Sequence, residues 1–322
     1  MEDLPELELR ELRRLDLEEP PDPGRPAHIA SASGVVRRGD LLYVIGDDLN
    51  AVGVFRASDG APGVLRRMLP GELPAADDDL KAAKPDLEAL TVLPPSEQAP
   101  FGWLLGLGSG SGPGRDRAFA CPLAPDGSLR EEPRVIDLGP LYALLAQHVE
   151  HLNVEGACVM GERLWLMHRG NHAETTNVVA EVALEQLAES LHGDRRIDVQ
   201  ELAALRSYDL GELDGVTLTF SDATPVGREL LVFTASAEDD ETGGGSDGAI
   251  RGSVVGTIDL DGAVRRMRTI DRRFKVEGVH ATLDTGVVDL LFVCDQDDPQ
   301  VAAPLLSASM PLDARVERGA NG

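Results

Sequence analysis

Hydrophobic positions along this chain fall into short runs separated by turns, and five stretches share one grammar. Each opens with Ser or Glu, runs apolar for a few residues, turns, and runs apolar again. They are SGVVRRGDLLYVIGDD from Ser33, EALTVLPPSEQAPFGWLLGLGSG from Glu88, EGACVMGERLWLMHRGN from Glu155, SDATPVGRELLVFTASAEDD from Ser221 and EGVHATLDTGVVDLLFVCDQDD from Glu277. Short apolar runs bounded by Gly, Pro and Asp read as strands joined by hairpins. Gly39, Gly161 and Gly227 each lie six residues after the opening residue of their segment, where a tight hairpin demands positive φ. The second and fifth segments have longer hairpin loops.

The opening residues are spaced by 55, 67, 66 and 56 residues. Four short strands with their turns fit such a period, as in a propeller blade, and the unequal spacing implies loop insertions. The predicted fold is therefore all-β: a single five-bladed β-propeller domain over residues 1–322. Its blades run over approximately 33–84, 85–151, 152–213, 214–273 and 274–319, the last completed by 7–17. That N-terminal piece, LELRELRRLDL, is expected to return as a strand and pair with the last blade, removing two exposed sheet edges. Its charge pattern also admits a surface helix. Leu141–Leu152 and Leu184–Leu191 show helical spacing and are expected as short helices between strands.

Charge narrows the partners. With 30 basic against 56 acidic residues the net charge is −26, which repels nucleic acid and anionic membranes. Only three lysines occur, Lys81, Lys84 and Lys275. No apolar run approaches the roughly 20 residues of a membrane helix, and the N-terminus lacks a signal-peptide pattern, so a cytoplasmic location is expected. Cys121, Cys158 and Cys294 are widely spaced in apolar runs and read as buried free thiols. GGSDG matches a nucleophile-elbow pattern but lies in a polar loop, and no phosphate-binding P-loop motif occurs.

In a propeller the innermost strands line the channel, so equivalent positions converge on one axis. Ser33, Glu88, Glu155, Ser221 and Glu277 would form a ring. Three carboxylates on one axis repel unless something lies between them. A hard divalent ion removes the conflict: Ca²⁺ first, because it accepts many oxygen ligands, and the stricter Mg²⁺ second. The alternative is that each Glu accepts hydrogen bonds from backbone amides of neighbouring strands.

The order Ser, Glu, Glu, Ser, Glu, set in SGVVRRGDLLYVIGDD and VEGACVMGERLWLMHRG, resembles the calcium-activated nucleotidases (apyrases) from Ser33 to Gly278. The Glu-Gly/Ala inner-strand motif is also similar to phytase-like and esterase-like propellers. The nucleotidase resemblance implies a five-bladed propeller with Ca²⁺ in its tunnel, hydrolysing nucleoside di- and triphosphates. Position by position it implies the five-residue ring as calcium ligands, and Asp47, Arg169, Glu238 and Asp239 as catalytic. The second blade departs from the family: GLGSGSGPGRDRAF carries no carboxylate before Asp116.

The second strands should end together at the channel mouth. Those ends hold Asp47 and Asp48, Gly108 to Arg117, His168 to His172, Glu238 and Asp239, and Asp295 to Asp298. Ser109, Ser111, Arg115, Arg117, His168 and Asn171 are candidate ligand-binding residues for a small anion. The Gly-rich loop can cradle it and the arginines can clamp it. Two functions compete: a metal-dependent hydrolase of phosphorylated small molecules, and a non-catalytic, calcium-stabilised binding or scaffolding propeller. Arg169 with Glu238 and Asp239 favours the first; the acid-free second blade favours the other.

Overall fold

The computed structural model describes residues 6–170, 176–193, 195–239 and 249–311. It is a five-bladed β-propeller. Blade 5 takes its outermost strand from the N-terminus, β1 (Arg10–Arg14). Blade 1 is β2 (Ala32–Arg38), β3 (Leu41–Gly46), β4 (Ala51–Arg56) and β5 (Val64–Arg67). Helix α1 (Asp77–Ala83) leads to blade 2: β6 (Leu87–Leu93), β7 (Trp103–Gly108), β8 (Arg117–Pro122) and β9 (Arg134–Asp137). Helix α2 (Gly139–Leu145) leads to blade 3: β10 (Val154–Met160), β11 (Arg163–His168), β12 (Asn177–Ala183), then α3 (Leu184–His192) and β13 (Ala204–Tyr208). Blade 4 is β14 (Glu212–Leu213), β15 (Val216–Val226), β16 (Leu230–Asp239), β17 (Ala249–Asp259) and β18 (Val264–Thr269). Blade 5 is β19 (Lys275–Asp284), β20 (Val287–Asp295) and β21 (Pro304–Pro311), with β1 paired to β21.

The N-terminal segment is a strand, not a helix: Arg10–Arg14 pair with β21, and burial alternates on either side of them. Leu7, Leu9, Leu15 and Leu17 are buried while their neighbours face out. Leu7 and Leu9 join the apolar cluster between blades 4 and 5, and Leu15 and Leu17 the cluster between blades 5 and 1. Three further clusters fill the remaining interfaces. The core is thus five wedges between blades, and the ring closes only when the chain's two ends meet in blade 5.

The hairpin glycines take up the expected conformation: Gly39, Gly161 and Gly227 have φ of 63°, 58° and 68°. The first expected helix is shorter than its periodicity suggests. It begins at Gly139 and ends at Leu145, so residues 146–152 form a turn beside the channel. The three cysteines are free and buried.

One irregularity recurs in every inner strand. The pairing of first to second strand slips between Ala32 and Gly34, Leu87 and Ala89, Val154 and Gly156, Phe220 and Asp222, and Val276 and Gly278. The residues at these β-bulges are Ser33, Glu88, Glu155, Ser221 and Glu277, the five positions aligned from sequence. A bulge frees one residue from the ladder and re-aims its side chain.

In blades 1, 3 and 5 the residue after the bulge is a glycine set closely against the next blade. A Cβ on Gly34 would meet Leu90 Cβ at 3.1 Å, one on Gly156 would meet Asp222 Cα at 2.7 Å, and one on Gly278 would meet Gly34 Cα at 2.8 Å. In blade 4 the position is Asp222, whose carboxylate accepts the Val279 N–H of blade 5 at 2.8 Å. Overpacking at backbone contacts costs about 1–3 kcal/mol. Gly278→Ala is expected to lower stability by that order. Gly60→Ala, where an added Cβ meets nothing within 4 Å, is expected to be near neutral. Urea denaturation of both variants checks this; equal midpoints would refute the close approach.

Candidate functional site

A cavity of about 860 Å³ occupies one end of the channel. It is built from the starts of the inner strands and the ends of the second strands. Eight carboxylates line it: Asp47, Asp86, Glu88, Glu150, Glu155, Glu238, Glu277 and Asp295. Four basic side chains stand among them: Lys84, Arg115, Arg169 and Lys275. Two of the chain's three lysines are therefore spent on this one surface.

Ser33, Glu88, Glu155 and Glu277 of the expected ring face the cavity. Ser221 does not. It is buried, and its hydroxyl lies 3.2 Å from Ser236 Oγ, which is 3.0 Å from Ser253 Oγ. The hydroxyl is turned into the blade by these partners, and Thr217 and Thr219 line the cavity instead.

Protein cations already stand beside part of the ring. Arg169 pairs with Glu238 and reaches Glu155 at 3.9 Å. Asn153 Nδ2 donates to Glu155 Oε1 at 2.5 Å. Lys275 Nζ lies 3.3 Å from Glu238, 3.5 Å from Glu277, 3.6 Å from Asp295 and 3.3 Å from Asp297. Lys84 pairs with Asp47 and lies 2.9 Å from Asp86 Oδ1. Burial of unpaired carboxylates is costly, and these pairs offset it.

Asp86 answers the apparent gap in blade 2. The position equivalent to Asp47 there is Ser109, but Asp86 enters from the start of the inner strand. Its Oδ2 accepts bonds from Ser109, from Ser111 at 3.0 Å and from Arg115 at 3.0 Å. Pro85 precedes it, and Asp86 itself adopts the left-handed φ of 57°. The Gly-rich loop is seated on α2, where Tyr142 Oη donates to Gly108 O at 2.5 Å.

Other expected residues stand elsewhere. Arg117 is exposed at the start of β8 and does not line the cavity. His168 is buried, its Nδ1 3.1 Å from both Asn153 N and Asn153 O, so it shapes the turn that carries Asn153. Asp48 turns the opposite way from Asp47 and pairs with Arg25 of the N-terminal segment. Asn171, His172 and GGSDG lie outside the described residues, as does the side chain of Asp239.

Sequence reasoning missed Lys84, Asp86, Asn153 and Lys275. Three of these carried a legible signal. Asp86, Asn153 and Lys275 lie two residues before Glu88, Glu155 and Glu277. Side chains alternate along a strand, so a channel-facing residue implies another two positions away.

Titration follows from this packing. Burial pushes Glu88 well above the usual carboxylate range, and Glu155, Asp86 and Asp47 add to the effect. Burial raises Glu277 to about 7 against the pull of Lys275 and Arg169, and it raises Asp295 to about 7 against Lys275. Burial acts the same way on Asp86 and Glu238, but Lys84 with Ser109, and Arg169 with Lys275, outweigh it and hold both below the usual range. Burial lowers His168 to about 4.

Hard-cation chemistry fits this donor set best at Glu88. Single oxygens of Asp47, Asp86 and Glu88 lie within 4.8 Å of one another. Oδ1 of Asp47 is buried with no hydrogen-bond partner. Glu155, Glu277 and Ser221 each have protein partners already.

The raised Glu277 gives a pH test. In the fold it keeps a proton that the unfolded chain gives up near its ordinary value of 4.5, so its stabilising contribution is full below that pH and is lost as pH rises through about 7. In chelator, Glu277→Gln is therefore expected to gain melting temperature relative to wild type as pH rises from about 5 to about 8. A difference that stays constant across that range would refute the assignment.

The wider comparisons concern fold and family. No curated protein matches the chain. Among solved structures it is similar to the α-L-arabinofuranosidase PaAbf62A from Podospora anserina, solved with cellotriose: 10% identity, 95% of this chain, 97% of that chain, TM-score 0.49. It is also similar to an engineered GH43 glycoside hydrolase with endo-xylanase and exo-arabinofuranosidase activity, at 11% identity, 97% of this chain and TM-score 0.51; the match spans only 53% of that chain. A GH43 endo-arabinanase from Bacillus licheniformis matches at 12% identity over 91% of this chain and 98% of that one, with TM-score 0.40. At such identities the likeness is one of fold. A family model matches residues 28–310, from just before β2 to the end of β21, and the chain belongs to that family, described as a family of unknown function (DUF6929).

Proposed function

We propose that the protein is a hydrolase of small phosphorylated molecules acting in the channel mouth. One observation carries the reading: a chain of net charge −26 gathers Lys84, Arg115, Arg169 and Lys275 into one cavity, beside carboxyls that titrate near 7. Fixed cations suit the oxygens of a phosphoryl group, and a carboxyl titrating near neutrality suits proton transfer.

Lys275 brings the two together. Its ammonium stands 3.5 Å from Glu277 and 3.6 Å from Asp295. Phosphoryl oxygens entering the cavity would exchange with carboxylates as partners of Lys275 and Arg169. An ionised Glu277 or Asp295 would accept a proton from the attacking water. Its oxygen bonds to phosphorus as the ester oxygen leaves, and the carboxyl returns the proton to that oxygen. A divalent cation, Ca²⁺ before Mg²⁺, belongs to this reading: bound at the Glu88 side of the ring, it would polarise a phosphoryl oxygen. Arg169 and Glu238 hold one wall of the cavity as an ion pair.

Pairing of Lys84, Arg115, Arg169 and Lys275 with carboxylates also supports a second reading, a non-catalytic, calcium-stabilised binding or scaffolding propeller. A carbohydrate ligand, as named for the glycoside hydrolase neighbours, is less favoured. Among the described residues no Trp, Tyr or Phe lines the cavity to stack on a sugar ring.

Release of inorganic phosphate from nucleotides and inositol phosphates, with arabino- and xylo-oligosaccharides as controls, tests the reading. Turnover of a phosphorylated member is expected. Arg169→Ala should weaken binding by about 2–5 kcal/mol, as for truncation of a desolvated charge partner. Binding of a member without release of phosphate supports the second reading. Neither binding nor turnover at millimolar ligand would overturn the hydrolase.

A further inference from the structure

We infer that Asp47, Asp86 and Glu88 form a divalent-cation site beside the channel axis, and that Lys84 is its tethered competitor: its ammonium holds the site until the ion displaces it. The inference rests on the cation in the reading above and deepens it by placing the ion and giving Lys84 a second task.

The three carboxylates come from two blades that are locked together at this point. Asp86 N–H donates to Asp47 O at 2.9 Å, and Ser109 N–H donates to Asp86 O at 2.9 Å. Asp86 is held by the hydroxyls of Ser109 and Ser111 and by Arg115, so its position is fixed before any ion arrives. Helix α1 ends at Ala83, and Lys84 follows in extended conformation with its N–H on Leu80 O. Pro85 and the left-handed Asp86 then reverse the chain, which brings Lys84 Nζ back over Asp47 and Asp86.

The ammonium leaves the cluster half satisfied. Asp47 Oδ1 is buried without a hydrogen-bond partner. Glu88 is half-buried, faces the cluster, and among the described residues makes no hydrogen bond or ion pair. Two positive charges, Lys84 and Arg115, thus stand against three carboxylates, and among the described residues neither makes a hydrogen bond or ion pair with Glu88 or with Oδ1 of Asp47. The spacing also suits an ion. Two ligand oxygens on one Ca²⁺, each at about 2.3–2.6 Å, lie up to about 5 Å apart; on Mg²⁺, at about 2.0–2.1 Å, only up to about 4 Å. Separations within 4.8 Å are compatible with Ca²⁺ without rearrangement.

Displacement has a direction. Lys84 lines the same cavity that holds Arg169 and Lys275. Its ammonium, released by the ion, would project into that cavity with its carboxylates taken and would be free to meet an anion. Binding of the cation and of a phosphorylated ligand would then be coupled through this lysine, each favouring the other.

Calorimetry of chelator-stripped full-length protein with CaCl₂ tests this, alongside Lys84→Met, Glu88→Gln and Glu277→Gln. Wild type is expected to bind one Ca²⁺. Lys84→Met should bind it about tenfold or more tightly, Glu88→Gln about tenfold or more weakly, and Glu277→Gln within about threefold of wild type. Inorganic pyrophosphate should bind wild type more tightly when Ca²⁺ is present, and this gain should shrink in Lys84→Met. Among the described residues Glu88 has no hydrogen-bond or ion-pair partner to lose, so metal-free Glu88→Gln should melt no lower than wild type, which separates lost binding from lost folding. Unchanged or weaker Ca²⁺ binding in Lys84→Met would overturn the inference. So would loss of binding in Glu277→Gln equal to that in Glu88→Gln, which would place the ion on the axis. No binding to wild type and Lys84→Met at millimolar Ca²⁺ would overturn it as well. The hydrolase reading fails separately: calcium binding in the expected pattern with no phosphate released refutes that reading alone.

Discussion

Closing five inner strands around one axis forces their bulge residues together, and the rest of the channel answers that constraint. Three of the five are glutamates, Glu88, Glu155 and Glu277. Burial raises all three, and Glu155 adds to the effect on both Glu88 and Glu277. The acidic chain responds with local positive charge: Arg169 beside Glu155, Lys275 beside Glu277, Lys84 toward Asp86 and Asp47. A buried ion pair contributes little net stability, whereas a buried unpaired charge is costly. These cations are thus needed for the ring to exist and are simultaneously the groups available to an anionic ligand.

The same bulges organise the blades. Each releases one side chain from the ladder, and the next residue is then pressed against the neighbouring inner strand. Glycine at three of these five positions allows that approach, and Asp222 converts it into a hydrogen bond between blades 4 and 5. Packing at the axis and chemistry at the axis therefore share one local device. Substitution of the small residue would move the ring side chain beside it.

Balance of charge differs around the ring. On the blade 3 to 5 side, Arg169 and Lys275 contact Glu155, Glu238, Glu277 and Asp295. On the blade 1 to 2 side, Lys84 leaves one oxygen of Asp47 and the carboxylate of Glu88 without a hydrogen bond among the described residues. The first side suits an anion and a proton in transit; the second suits a hard cation. A phosphorylated molecule with its counter-ion presents both requirements at once.

Much of this architecture was legible in the residues. The repeat of Ser or Glu, apolar run, hairpin glycine and apolar run determined five blades and aligned Ser33, Glu88, Glu155, Ser221 and Glu277, because strand alternation and hairpin geometry are local. The N-terminal strand was less plain: its charges allow a helix, and only the burial of Leu7, Leu9, Leu15 and Leu17 between blades selects period two. Alternation also marks Asp86, Asn153 and Lys275, two residues before the ring. Tertiary structure alone decided which side chains meet. Ser221 turns to Ser236 because a neighbouring strand offers it a partner. Arg117 and His168 leave the cavity although Arg115 and Arg169, one or two residues away, line it. Lys84 reaches Asp47 across 37 residues of sequence because blades 1 and 2 meet there. Contacts between blades depend on how the ring closes, and no period within one blade encodes them.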